Sequence, residues 1–154
     1  RSQRDREAIR AGLYDGVIDA ICSDHTPVDD DETLLPFAEA SPGATGLELL
    51  LSLALKWADD YAGQHDGATA LSRALAKVTT DAARVAGLAA GQLAVGAAAD
   101  IVLFDPAARW TVDAKSLASQ GKHTPFVGYE LQGQVMATIV GGRVAFQRAQ
   151  ASAR

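Results

Sequence analysis

The sequence predicts an α/β fold that gives way to a small all-β segment near residue 90. A charged, alanine-rich stretch is followed directly by a short apolar run, and this alternation is typical of parallel α/β sheets. Beyond residue 90, short extended stretches separated by glycine turns replace the helical pattern. The 154 residues are 48% hydrophobic, so the chain can bury a sizeable core and should be ordered over most of its length.

The first predicted elements are a helix and a strand. The helix covers Ser2–Asp15 and ends at Gly16, which is a common helix terminator. The strand covers Val17–Cys22, whose length and β-branched residues suit a buried strand. Cys22 is the single cysteine and is expected to be buried as a small hydrophobic residue. Because it has no partner for an internal disulfide, it favours a reducing cytoplasm.

A long polar loop over Ser23–Ala44 comes next, and structureless loops of this length are usually functional. Thr45–Glu48 has the pattern of a capping box, in which the threonine caps a helix and the glutamate reaches back to it. The helix predicted from Leu47 to about Tyr61 is apolar on most of its surface and is therefore expected to be buried. Two further helices are predicted over Ala68–Val78 and Asp81–Ala86.

The last third predicts short strands and a frayed tail. A Gly141–Gly142 turn between two apolar stretches is typical of a β-hairpin with a primed turn. The predicted extended segments are Ile101–Phe104, which Asp105–Pro106 ends, the residues around Trp110–Val112, Gln134–Val140 and Arg143–Phe146. The tail Arg148–Arg154 is expected to fray.

Composition excludes several functions. The formal net charge is −5, from 14 basic and 19 acidic residues, and this is not the basic footprint of a nucleic-acid-binding protein. No run of eighteen apolar residues predicts a membrane span. Arg1–Arg6 lacks the apolar core of a signal peptide, and Met136 is the only methionine. We therefore expect the chain to begin within a larger gene product.

The strongest local signal for chemistry is Ser23–Pro27, which follows the predicted strand. Catalytic groups gather at the carboxyl ends of strands in parallel α/β folds. Asp24 could be a metal ligand or a general base there, or it could simply close the turn. His25 could be a ligand or a hydrogen-bonding scaffold, since no second histidine lies at metal-ligand spacing. These residues alone do not assemble a hydrolase that needs several metal ligands.

Other polar residues carry weaker signals. The acidic run Asp29–Glu32 lacks the alternating ligands and glycine of a calcium loop and is interpreted as a solvated face. His65 is expected to face solvent in a break between helices. The role of His123, in the loop that leads to Phe126, stays open.

Several blocks, in the right order, resemble one known family. Val17–Pro27 resembles the last barrel strand of dihydroorotases and related cyclic amidohydrolases, whose pattern is S/T-D-H-A-P-H. Leu35–Glu48 resembles the substrate loop that follows this strand. Leu93–Asp105, His123–Gly128 and Ala137–Val144 resemble the return of the chain to the family's β-sandwich and its closing segments.

The resemblance implies the C-terminal fragment of a metal-dependent amidohydrolase TIM barrel, comprising its last strand and helices, followed by a small β-sandwich segment. Residues 1–88 would belong to the barrel, residues 89–148 to the sandwich and residues 149–154 to the tail. Family members hold one or two zinc ions at the mouth of the barrel. The H-x-H motif, carboxylated lysine and further histidines that hold them precede the matching region. The resemblance therefore implies zinc in the parent protein and none for this chain alone.

The resemblance also implies roles for individual residues. Asp24 occupies the position of the catalytic aspartate, which contacts metal, takes a proton from the metal-bound water and delivers it to the leaving amide nitrogen. Pro42 and Gly43 correspond to the loop whose backbone contacts the substrate ring, and His25 is a further candidate for substrate binding. Val28 departs from the family, which has a carboxylate-binding histidine at this position.

Three functions follow from the resemblance. The first is a dihydroorotase of pyrimidine biosynthesis, acting on a cyclic amide, with dihydroorotate favoured. The second is a non-catalytic homologue that is a structural partner of aspartate transcarbamoylase. The third is an allantoinase or hydantoinase. The expected partners are a small cyclic amide and either another copy of the chain or the missing part of the barrel, with no nucleic acid or membrane.

Overall fold

The computed structural model describes residues 2–66 and 69–149. Helix α1 spans Gln3–Tyr14, which confirms the first predicted helix. The Ser2 hydroxyl accepts a hydrogen bond from the Asp5 amide at 3.2 Å, and the Asp5 carboxylate accepts one from the Ser2 amide at 2.9 Å. This reciprocal pair satisfies two amides at the helix start, and the same bonds lower the pKa of Asp5. Leu13, near the other end of α1, is buried.

The prediction of a buried strand over Val17–Cys22 is wrong for the described residues. The segment forms no strand ladder, Val17 is 79% exposed and Cys22 is exposed rather than buried. A strand needs a neighbour for its backbone groups, and none of the three strands in the described part of the chain pairs with this segment. The Ile21 amide instead donates to the Lys77 carbonyl at 3.0 Å, and the Lys77 ammonium donates to the Ile18 carbonyl at 2.8 Å.

The predicted loop and the helix after it also differ from expectation. The acidic run forms a short exposed helix, α2, at Asp30–Thr33. The single helix predicted from Leu47 to Tyr61 is a composite that passes Gly63 without a break. It consists of a 3₁₀ turn at Leu47–Leu49, helix α3 at Leu50–Trp57, a π-helical turn at Ala58–Ala62 and helix α4 at Gly63–Asp66.

Helices α5, at Ala70–Val78, and α6, at Thr80–Val85, confirm the last two predicted helices. The predicted start at Ala68 lies outside the described residues. Buried residues of α1, α3, the π-helical turn and α5 form one core, in which Trp57 is the largest side chain. Small alanines, such as Ala74 at 0% exposure, let these helices approach closely. None of the helices in residues 2–66 and 69–149 is both long and apolar enough to cross a membrane.

Three antiparallel strands form the sheet, in the order β1-β2-β3. They are β1 at Ile101–Thr111, β2 at Glu130–Val140 and β3 at Arg143–Gln147. The predicted hairpin is confirmed, because Gly141 and Gly142 both have positive φ, at +54° and +78°, as a type I′ turn requires. The predicted tail residues 150–154 lie outside the described residues.

Strand β1 continues through Asp105–Pro106, where the sequence predicted its end. The pairing with β2 is interrupted between Asp105 and Arg109 and then resumes. The Asp105 carboxylate accepts hydrogen bonds from the amides of Ala107 and Ala108, at 2.8 and 3.1 Å. The side chain thus supplies the partners that the ladder lacks at this bulge.

The described residues form one sheet, so the expected β-sandwich is not complete within them. Helix α3 packs against β2. The buried Ser52 hydroxyl donates to the Gly133 carbonyl at 2.8 Å, and the Trp110 indole N–H donates to the same carbonyl at 3.2 Å. A second core of buried Leu49, Val112, Leu117 and Leu131 continues this contact and fixes the helix start beside the sheet.

Candidate functional site

Three segments distant in sequence meet at the start of the composite helix. Residues 23–28 contact residues 43–46 through a hydrogen bond from the Thr26 amide to the Ala44 carbonyl, at 3.0 Å. Residues 121–123 contact the same turn through Thr45, whose amide donates to the His123 carbonyl at 2.8 Å. The Thr45 hydroxyl donates to the Gly121 carbonyl at 2.6 Å, and Thr45 is 1% exposed. The candidate site is therefore built on a rigid junction of backbones.

Glycines allow this close approach. A Cβ atom on Gly46 would lie 2.6 Å from the Ser23 carbonyl oxygen, and one on Gly121 would lie 2.8 Å from the Val28 carbonyl oxygen. On Gly43 it would overlap the Thr26 carbonyl oxygen and lie 2.8 Å from a methyl group of Val28. Any larger residue at these positions would push the segments apart.

Asp24 has an unusual backbone conformation. Its φ of +45° is the only positive value for a non-glycine residue among residues 2–66 and 69–149. Left-handed conformations of this kind cost free energy and persist where the surroundings over-determine them, commonly at functional sites. The side chain is exposed, so its carboxylate is accessible to a ligand. It could bind a cation or exchange a proton, and no ligand is present that tests its predicted catalytic and metal-binding role.

His25 follows Asp24 and contacts the helix start. Its Nδ1 accepts hydrogen bonds from the amides of Gly46 and Leu47, each at 3.2 Å. The ring is partly buried. Because Nδ1 is occupied, Nε2 is the ring nitrogen available to a ligand. The substrate-binding role predicted for His25 stays a prediction.

The other predicted substrate-binding residues lie on the adjoining turn. Pro42 is exposed and Gly43 is partly buried against Thr26 and Val28. The structure therefore brings Gly43 to the segment that contains Asp24. No ligand is present that would test a contact with their backbone.

Val28 is packed into this junction. It is partly buried, and its methyl group faces Gly43 while its carbonyl oxygen lies beside Gly121. An apolar side chain at this position can fill space but cannot bind a carboxylate. The position that holds a histidine in the resembling family has a packing role here.

The capping box predicted at Thr45–Glu48 is wrong, because both side chains bond elsewhere. The Glu48 carboxylate accepts hydrogen bonds from the Ala118 and Ser119 amides, at 2.7 and 2.9 Å, and from the Ser119 hydroxyl at 2.7 Å. Burial raises the pKa of Glu48, but these bonds and the charge of Lys122 lower it by more, so the net pKa lies below its usual value. Glu48 thus fastens the loop before residue 121 to the helix.

This connection was not visible in the sequence. Glu48 lies 70 and 71 positions from its partners, and Ala118 and Ser119 have no distinctive pattern. Gly121 is likewise a site residue that the sequence analysis did not identify. The sequence signal for Gly121 would have been its place shortly before His123–Phe126, a block that resembles the family.

Asp24 is the candidate metal ligand at this junction. Asp24 is an exposed carboxylate, but the described residues contain no group of three or more His, Cys, Asp or Glu side chains placed to hold a metal. The Asp24 carboxylate therefore fits as one ligand of a metal site whose other ligands come from outside the described residues. His65 is exposed and stacks on Tyr61, with ring centroids 4.6 Å apart, so it belongs to a different surface.

Comparison with known proteins agrees with this architecture. Residues 1–145 match the family described as the amidohydrolase family. The chain therefore belongs to the amidohydrolase family, as a unit of mixed helices and a small antiparallel sheet.

Within that family the chain is dihydroorotase-like. It is 41% identical over 148 residues to the dihydroorotase of Geobacter metallireducens, and the match covers 96% of this chain and 34% of that protein. The dihydroorotase of Anaeromyxobacter sp. (strain K) is 42% identical over 151 residues, covering 98% of this chain and 34% of that protein. The chain thus spans about a third of the length of the curated relatives it matches.

Solved structures show the same fold. A D-hydantoinase (dihydropyrimidinase) from Thermus sp. superposes with a TM-score of 0.82 at 29% identity, over 96% of this chain and 32% of that one. The L-hydantoinase (dihydropyrimidinase) from Arthrobacter aurescens superposes with a TM-score of 0.74 at 26% identity, over 99% of this chain and 34% of that one.

Proposed function

We propose that the protein to which this chain belongs is a dihydroorotase-like enzyme that opens or closes a cyclic amide, with dihydroorotate as its substrate, in cytoplasmic pyrimidine biosynthesis. The observation that carries this proposal is the exposed Asp24 in a left-handed conformation beside the Gly43 turn. The two dihydroorotases at 41 and 42% identity support the choice of substrate.

Asp24 would move the proton in this reaction. Its carboxylate accepts a proton from the attacking water and passes it to the amide nitrogen as the ring opens. A positioned general base of this kind contributes about 10²–10⁴-fold to a rate. When bound, zinc would supply a water of lowered pKa, and Asp24 is the residue of this chain that would contact it. The Pro42–Gly43 turn would present backbone groups to the ring, and His25 would offer Nε2.

The remaining two thirds of the relatives' length would complete the fold. We propose that it supplies the strands beside Val17–Cys22 that close a TIM barrel, the other metal ligands, and a second sheet that makes a β-sandwich. A groove of about 470 Å³ between α3, α5 and β1 supports this view, because its lining is mostly apolar, including Leu50, Leu75 and Phe104. Exposed apolar surfaces of this kind commonly mark places where another part of the protein, a partner or a ligand binds.

Val28 favours a second candidate function. A valine cannot donate the charge-assisted hydrogen bond of a histidine, whose loss costs about 1.5–3 kcal/mol. The exposed acidic helix α2 directly after it would repel a substrate carboxylate further. These features suit a non-catalytic homologue that keeps the fold and acts as a structural partner of aspartate transcarbamoylase. The hydantoinases of similar fold favour a third candidate, a hydantoinase-like or allantoinase-like hydrolase.

One set of assays on the full-length protein separates these candidates. We expect the wild type to interconvert carbamoyl aspartate and dihydroorotate, and Asp24→Asn to lower kcat at least about 10²-fold. Val28→His should lower KM if the position faces the substrate. A wild type inactive on dihydroorotate but active on hydantoin or allantoin would support the third candidate. A wild type inactive on all three, but forming a stable complex with aspartate transcarbamoylase, would support the second.

A further inference from the structure

His25 links the segment that contains Asp24 to the turn that starts the composite helix. Its backbone follows directly on Asp24, and its ring contacts the first two residues of the turn that starts the composite helix. Nδ1 lies 3.2 Å from the amide nitrogens of both Gly46 and Leu47. A nitrogen that faces two N–H donors must be an acceptor, so the neutral ring holds its proton on Nε2.

The helix start needs this acceptor. Amides at the first turn of a helix have no partner within the helix, and a nearby Ser, Thr or Asp side chain normally satisfies them. Neither of the two side chains placed to do so makes such a bond here, since the Thr45 hydroxyl is directed at the Gly121 carbonyl and Glu48 accepts from residues 118 and 119. A ring 21 positions upstream replaces them.

The same contact constrains Asp24. On one side of Asp24, the Ser23 carbonyl packs directly against Gly46. On the other side, the His25 ring is bonded to Gly46 and Leu47, and beyond it the Thr26 amide donates to Ala44. The φ of +45° at Asp24 is therefore held from both directions by the 44–47 turn.

We propose that His25 is a positioning residue for Asp24. As the Nε2-protonated tautomer, it uses Nδ1 to cap the helix that begins at Leu47, and thereby holds the Asp24 carboxylate at a fixed place beside the Gly43 turn. The catalytic consequence rests on the proposed function, whereas the cap and the tautomer do not.

The first test measures the tautomer in the wild-type full-length protein. In histidine labelled with ¹⁵N, the two ring nitrogens of a neutral imidazole have well-separated shifts that distinguish the protonated nitrogen from the bare one. We expect a bare Nδ1 and a protonated Nε2 for His25, assigned by the signals that disappear in His25→Asn. A protonated Nδ1 would overturn the proposal.

The second test uses a matched pair of substitutions in the full-length protein. The amide oxygen of Asn lies as many bonds from the backbone as Nδ1, whereas that of Gln lies one bond further, as Nε2 does. We expect His25→Asn to keep the hydrogen-exchange protection of the Gly46 and Leu47 amides. His25→Gln should raise their exchange about tenfold or more, because both amides lose their acceptor. His65→Asn, on a different surface, is the control and should leave them unchanged.

Equal exchange in the Asn and Gln variants would refute the cap. Enzyme kinetics of the same two variants then test whether the cap positions Asp24. If the wild type hydrolyses a cyclic amide, His25→Gln should lower kcat further than His25→Asn does, because both variants lose Nε2 but only His25→Gln also loses the cap. An equal loss of kcat in the two variants, with protection kept only in His25→Asn, would refute the positioning role. A wild type without activity would reject the proposed function, while the exchange and tautomer results would still decide the role of the cap.

Discussion

The connection between Glu48 and residues 118–119 makes a quantitative prediction about stability. Substituting Glu48 by Gln keeps the size of the side chain but replaces one acceptor oxygen by an NH₂ group. In the native structure both carboxylate oxygens accept hydrogen bonds, one from the Ala118 amide and the other from the Ser119 amide and hydroxyl. The variant therefore loses at least one of these bonds and places two donors against each other.

The magnitude follows from the kind of bond that is lost. A hydrogen bond to a charged group contributes about 1.5–3 kcal/mol to stability. Glu48 is only partly buried, so solvent screening moves the expected value to the lower end, about 1.5 kcal/mol. With a denaturant slope of about 2 kcal/mol/M, this loss lowers the midpoint of urea unfolding by about 0.75 M.

The pH dependence has a definite sign. Because the folded-state pKa of Glu48 is below its unfolded value, its contribution is fully present above the unfolded pKa. That contribution disappears as the pH falls through the folded pKa, so the gap between wild type and variant should begin to close below the usual pKa of 4.5 and vanish once the pH is below the lowered folded pKa. Glu32→Gln, in the exposed helix α2, is the matched control and should shift the midpoint little. A Glu48→Gln midpoint equal to that of the control, or a gap independent of pH, would refute the reasoning.

Three further predictions concern the backbone and the surface. Asp24→Gly should be more stable than Asp24→Ala by about 1 kcal/mol in urea unfolding, because only glycine adopts positive φ without cost, and equal stability would argue against the left-handed conformation. Gly91→Ala should unfold about 1–3 kcal/mol more easily than Gly87→Ala, because both have positive φ but only the former places a Cβ within 3.0 Å of the Thr79–Thr80 backbone. The 154-residue chain by itself should bind the dye ANS and no stoichiometric zinc; a dye-silent chain with one zinc per molecule would contradict both expectations.

The elements that the sequence predicted are those whose causes are local. Helix α1 depends on Ser2 and Asp5, which are three positions apart, and the β2–β3 hairpin depends on two adjacent glycines whose positive φ few other residues adopt. Such short-range chemistry is visible in the order of the residues.

The elements that differ from the prediction depend on partners that are distant in sequence. Thr45 and Glu48 have the correct spacing for a capping box, but bonds to Gly121 and to residues 118–119 satisfy them instead. Val17–Cys22 has the composition of a buried strand but lacks a neighbouring strand among the described residues. The composition of a segment indicates which secondary structure it can adopt, whereas the available hydrogen-bonding partners decide which one it forms.

The candidate site likewise combines a residue that the sequence reveals with a contact that only the structure reveals. Asp24 could be identified from its position after an apolar run and from the resemblance of the surrounding motif. The contact of His25 with Gly46 and Leu47 could not, because these residues are 21 and 22 positions apart and no pattern between them signals their approach. The sequence thus indicated the candidate carboxylate, and the structure shows which residues surround it.

Val28 lies in the same junction of loops as Asp24 and Gly43. Its methyl group lies against Gly43, and its carbonyl oxygen lies against Gly121. A histidine at this position would have to leave this packing to meet a ligand, or push Gly43 away if it stayed. A valine at this position therefore fills the tight junction of the loops and has no group that could bind a carboxylate. Because that junction also holds Asp24, turnover rather than the packing of Val28 separates an enzyme from a structural homologue. Turnover measured on the wild type beside Asp24→Asn distinguishes them, since only an enzyme has a turnover that the loss of the Asp24 carboxylate lowers.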